Sequence, residues 1–90
     1  MNKDSINFGE ILVTIEALNK FTREEINNAL NKYKNLDFGD INEYERKSNK
    51  TAVRYEGFII GRYNINNKPL VICTNWYRSH TTVYTGEEYK

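Results

Sequence analysis

Ninety residues, 10.6 kDa in all, are expected to form one α+β domain over positions 1–90, because so short a chain supports a single core and no separable second one. A mean hydropathy of −0.76 and the lack of any apolar run beyond five residues exclude a membrane-spanning helix, which needs roughly 20. The single cysteine, Cys73, excludes an internal disulfide, and no signal-like apolar stretch follows Met1, so a reducing cytoplasm is the expected compartment.

The first expected element is a strand from about Glu10 to Thr14, where apolar positions alternate and end in a β-branched cluster. Thr14 can then cap one helical turn over Ile15 to Asn19, with Ala17, Leu18 and Phe21 folding back on the core. Thr22-Arg-Glu-Glu25 is a capping box: its hydroxyl can accept from the Glu25 amide while the Glu25 carboxylate reaches back. The helix it opens places Ile26, Ala29, Leu30 and Tyr33 on one stripe, with Lys32 and Lys34 at its negative end. Asn35, able to adopt φ > 0, is the expected stop.

Asp37-Phe-Gly-Asp40 reads as a turn leading to a second capping box, Asp40-Ile-Asn-Glu43, and a charged helix to about Asn49. From Ala52 the period changes. Strands are expected within Val53 to Ile65 and over Leu70 to Trp76, joined by a polar turn spanning Asn64 to Pro69, with a third short run at Thr81 to Thr85. The expected fold is therefore a short N-terminal strand, two helices, and a three-stranded antiparallel β-meander with one face left for the helices. Gly57 and Gly61 interrupt the first of these strands and read as a bulge or a close-packing feature.

Charge is balanced overall, at +1, and unbalanced locally. Positions 1–45 carry −4 and positions 79–90 carry −1, whereas 46–78 carry +6 through Arg46, Lys47, Lys50, Arg54, Arg62, Lys68 and Arg78 against Glu56 alone. Two readings follow. The basic third either solvates one face and pairs with the acidic first half, or meets an acidic partner, phosphate or carboxylate. A near-neutral total weighs against a dedicated nucleic-acid binder.

No set of catalytic groups converges in the sequence. His80 is the only histidine, so no histidine metal cluster is expected, and Cys73 lies in an apolar strand where a thiol serves as a small hydrophobe. There is no phosphate-binding glycine loop, and no cofactor is expected. The densest constellation is Thr74 to Tyr84, where Trp76, Tyr77 and Arg78 are the residue types most enriched among interface anchors. One reading makes Trp76, Tyr77, Arg78 and His80 a partner-binding rim, joined by Arg62 and Tyr63 of the neighbouring strand. The other has Trp76 and Tyr84 plug the edge of the core while Arg78 hydrogen-bonds the turn.

Several of these segments together resemble a known family. Gly9-Glu-Ile-Leu-Val-Thr-Ile-Glu-Ala-Leu18, Asp37-Phe-Gly-Asp40, Gly57-Phe-Ile-Ile-Gly-Arg-Tyr63, Ile72-Cys-Thr74, Arg78-Ser-His-Thr-Thr-Val-Tyr84 and Glu87-Glu-Tyr89 are similar to segments of short plasmid- and phage-borne proteins. Members of that family are often labelled a type I restriction endonuclease subunit M or a plasmid-related protein. A methyltransferase subunit needs a nucleotide-binding α/β domain with a glycine-rich loop, which this chain does not contain.

What the resemblance implies is an accessory protein of a mobile element, of the kind that inhibits host defence by occupying a protein surface. The expected function is accordingly a non-enzymatic inhibitor of a host defence nuclease complex, of anti-CRISPR or anti-restriction type. The alternative is a small nucleic-acid-binding module using Arg46, Lys47, Lys50, Arg54 and Tyr55, with Arg62 on phosphates and Tyr63 stacking. No membrane partner is expected, and the chain is expected to be a monomer or, through an exposed edge of the meander, a homodimer.

Overall fold

A computed structural model describes residues 6–89. The elements run β1 (Glu10–Val13), α1 (Ile15–Lys20), α2 (Arg23–Lys34), α3 (Glu43–Arg54), β2 (Ile59–Ile65), β3 (Lys68–Thr74) and β4 (His80–Thr85). The last three strands form the expected antiparallel meander, and β1 joins it as a fourth strand parallel to β4, giving the order β1-β4-β3-β2 in a mixed sheet. No helix among the described residues is long and apolar enough to cross a membrane.

Local chemistry sets most of the boundaries. Thr14 caps α1 by accepting from the Ala17 N–H at 3.0 Å, and both arms of the Thr22/Glu25 capping box open α2. The stripe Ile26, Ala29, Leu30 and Tyr33 is buried as its spacing requires. Asn35 is the C-cap of α2, but the positive φ falls one residue later, on Leu36 at 66°. The hairpin turn is tighter than expected: strand pairing continues to Ile65↔Lys68, and Asn66 and Asn67, both at positive φ, make the two-residue reversal that suits the sheet's twist.

The third helix requires a correction. It is capped by Asn42 with Glu45, not by Asp40 with Glu43, and it continues to Arg54 rather than ending near Asn49. Asp40 is engaged elsewhere, because its N–H donates to the Arg62 carbonyl while the Arg62 N–H donates to Phe38 O. Residues 38–40 thus act as a short extra strand along the outer edge of β2. Gly39 makes this approach possible: its φ is +70°, and a Cβ there would lie 2.1 Å from Arg62 O.

The sheet has two unequal faces. Ile59, Tyr63, Leu70, Ile72 and Val83 point to the helix-covered face, where they meet Ala17, Phe21, Ile26, Ala29, Leu30, Tyr33 and Ala52. Gly61 leaves the space that the Tyr33 ring fills, since a Cβ there would stand 2.9 Å from Tyr33 Cδ1. The Tyr33 hydroxyl donates to Ile59 O at 3.0 Å and lies 2.6 Å from Thr74 Oγ1, which lies 2.7 Å from Thr81 Oγ1, itself donating to Phe8 O. These four contacts share three hydroxyl protons, so the Thr74 proton serves either Tyr33 or Thr81. Burial raises the Tyr33 pKa well above the ordinary phenol range and keeps the ring neutral.

On the opposite face a smaller cluster, Ile41, Ile60, Val71 and Cys73, is covered by Phe38, Tyr84 and Tyr89. The C-terminal tail is held there by Glu88, whose carboxylate accepts from the Thr85 N–H at 2.9 Å and the Thr14 hydroxyl at 2.7 Å.

Candidate functional site

The residues expected to bind a partner divide into two groups. Arg62 is engaged inside the fold: its Nε and Nη2 donate to the Glu45 carboxylate at 2.8–3.1 Å, and its guanidinium lies over the Tyr89 ring at 5.6 Å. Hydrogen bonding to Arg62 lowers the Glu45 pKa, and the same bond raises that of Arg62. Tyr63 is buried, with its hydroxyl donating to Asp37 O at 2.7 Å. Arg78 adopts φ 58° and turns back over the end of α3, where Nη2 donates to Ala52 O and Tyr55 O. A cation there complements the negative end of the helix and satisfies carbonyls that no further turn would reach. His80 opens β4, half-buried, with Nδ1 3.2 Å from Ser79 Oγ.

Trp76 and Tyr77 remain at the surface, 55 % and 84 % exposed. Asn75 builds the loop that holds them there. Its Oδ1 accepts from the Ser79 N–H at 2.8 Å, its Nδ2 donates to Ser79 Oγ at 2.7 Å, and its backbone carbonyl accepts from the Arg78 N–H at 3.0 Å. With both ends of the loop fixed and Arg78 folded inward, the two rings at its tip point outward.

Trp76 lines a groove of about 480 Å³ with Tyr44, Phe58, Thr51 and Gly57, and Lys47 and Glu56 supply its charge. Tyr44 is 80 % exposed and Phe58 40 %, so three rings border one mostly apolar trough, from α3, the residue before β2 and the β3–β4 loop. The sequence reading did not find Tyr44 or Phe58. Tyr44 did carry a signal: it stands one position into a charged helix on the row that continues through Ser48 and Thr51, a place for a polar side chain if the row served only to face water.

The nucleic-acid candidates Arg46, Lys47, Lys50, Arg54 and Tyr55 all lie on α3 or its C-cap, and all are exposed. Arg46 sits 3.7 Å from Glu43, whereas Lys47, Lys50 and Arg54 form no ion pair among the described residues. Asn49, between them on the inner side, is buried. Its side chain donates to Ile60 O at 2.7 Å and accepts from the Ile60 N–H at 3.1 Å, which closes the β2 edge. With residues 38–40 beyond it and β1 along β4, neither side of the meander is left open for strand pairing, and the outer strand on the far side is β1.

Cys73 is buried beneath Tyr89, and burial pushes its thiol up to about 11, leaving it protonated at neutral pH. No hydrogen bond links it to His80, and no group of three metal-ligating side chains occurs among the described residues.

Comparison with protein-family models, curated proteins and solved structures finds no match to this chain. The positions that carry the sequence resemblance have structural tasks here: Arg78 caps α3, Thr81 joins the buried hydroxyl chain, Glu88 fixes the tail and Tyr89 covers Cys73.

Proposed function

We propose that the chain is a non-catalytic binding protein that docks onto a protein partner through the Tyr44–Phe58–Trp76 groove. Following the sequence resemblance, we take the partner to be a host defence nuclease complex that the chain inhibits. The observation that carries the reading is the groove: three exposed rings around one apolar trough, held by a helix, a strand start and a braced loop. Aromatic side chains add large contact area with few rotatable bonds to order, which is why Trp and Tyr dominate interface anchors.

Trp76 is the only tryptophan, so its emission reports directly on the groove. Titration with a purified CRISPR or restriction nuclease complex should shift that emission to the blue, and the complex should lose cleavage activity in the same range. Changing Tyr44 and Trp76 to Ala should cost about 1–4 kcal/mol of binding. Unchanged emission and undiminished cleavage across both types of complex would overturn the proposal.

A second reading rests on the unneutralised Lys47, Lys50 and Arg54 beside the exposed Tyr55. It requires an oligonucleotide gel shift that fades steeply as salt rises.

A further inference from the structure

α3 has two flanks, and the aromatic groove uses only one. Residues 44, 48 and 51 face that groove, whereas Arg46, Lys50, Val53 and Arg54 face the other way, toward the loop between α2 and α3. There a second groove of about 390 Å³ has a floor of Leu36, Phe38 and Val53, all half-buried, and a wall made by Arg46, Lys50 and Arg54. Residues four apart on a helix rise by about 6 Å, so the three cations stand in one row along the groove.

The chemistry of this groove is specific in two respects. Its floor is apolar and includes Leu36 in the left-handed conformation at φ 66°, which fixes the shape of the loop. Its wall is cationic with little internal relief, since Arg46 shares Glu43 at 3.7 Å and Asp37 is the one carboxylate among the lining residues. We propose that this groove binds an acidic segment of a protein partner that carries apolar side chains, its carboxylates on Arg46, Lys50 and Arg54 and an aliphatic anchor on Leu36, Phe38 and Val53. A nucleic-acid strand fits less well. Leu36 and Val53 offer no flat ring for a base, and the Phe38 ring is turned edge-on to Tyr33 at 5.5 Å. The surface is separate from the Trp76 groove, so either proposal can fail without the other.

The test is fluorescence anisotropy at low salt with the full chain and four labelled probes. These are a Glu/Asp peptide with leucine at every fourth position, the same peptide with serine for each leucine, the leucine peptide with lysine for each acid, and an oligo-dT strand. The acidic leucine peptide is expected to bind, with the serine and lysine versions at least about tenfold weaker. The double variant Lys50→Gln/Arg54→Gln should lose the peptide by a similar factor with little change in the melting curve, since both side chains are exposed. Trp76→Ala should bind it as the parent does.

No binding of the acidic leucine peptide, equal binding of the serine version, or indifference to the double variant would overturn the proposal. Binding of oligo-dT in preference to the peptide would also overturn it and return this flank to nucleic acid.

Discussion

The inner and outer sides of α3 meet the same residue types in opposite roles. Arg62 and Arg78 reach α3 from the sheet side and are engaged within the fold, Arg62 by the Glu45 carboxylate and Arg78 through Nη2 by the carbonyls of Ala52 and Tyr55, its buried Nε having no hydrogen-bond partner among the described residues. Lys50 and Arg54 on the outer side have no ion-pair partner among the described residues. Tyrosines divide in the same way: Tyr33 and Tyr63 are buried with bonded hydroxyls, while Tyr44, Tyr55 and Tyr77 stand in water. A cation or ring whose needs are met inside maintains the fold, and one whose needs are unmet is available to a partner.

The sharpest way to break this comparison is to truncate one ring from each group. Tyr33→Ala should destabilise by about 3–5 kcal/mol, through a cavity under Gly61 and the loss of the hydroxyl chain, whereas Tyr77→Ala should stay within about 0.5 kcal/mol. Urea denaturation of the two variants measures the difference, and equal midpoints would end the distinction.

Neighbouring residues on α3 give a finer contrast. Asn49→Ala leaves the Ile60 N–H and carbonyl without partners and should lose about 1–3 kcal/mol, while Lys50→Ala changes stability little. Arg78→Ala and Arg54→Ala form a similar pair. The first removes bonds from a charged donor to the end of α3, worth about 1.5–3 kcal/mol, and the second removes a solvated side chain.

Acid sharpens the contrast without mutation. Glu45 and Glu88 both titrate below the usual 4.5, held down chiefly by Arg62 and by the Thr85 backbone N–H respectively. Between the depressed folded values and 4.5 the unfolded chain binds more protons. The stability they contribute is therefore complete above that window and lost as pH falls through it. Glu45→Gln should flatten part of the acid limb of a stability-against-pH curve, and an unchanged limb would refute the assignment.

The smallest effect is chemical: Cys73, protonated and covered, should react slowly with iodoacetamide at neutral pH, and Tyr89→Ala should speed the reaction severalfold.

The legible parts of the chain were those governed by near neighbours. Thr14, Thr22 and the stripe from Ile26 to Tyr33 act within four residues of themselves, so caps and spacing announced α1 and α2. The start of α3 is ambiguous in the sequence because two capping boxes of the same i,i+3 spacing lie two positions apart, Asp40/Glu43 and Asn42/Glu45. The choice fell to Arg62, over twenty residues away, whose carbonyl takes the Asp40 N–H. The rim residues could not be sorted for the same reason. Nothing near Arg78 in the chain announces the end of α3 as its partner, and nothing near Tyr44 announces Phe58 and Trp76.

The amino-acid order therefore determined α1, α2 and the meander, since those depend on φ preferences, hydrogen bonds within a few residues and the alternation of apolar side chains. Which arginine is satisfied and which ring is left in water was decided only when distant segments packed together, because burial and charge neutralisation depend on neighbours in space.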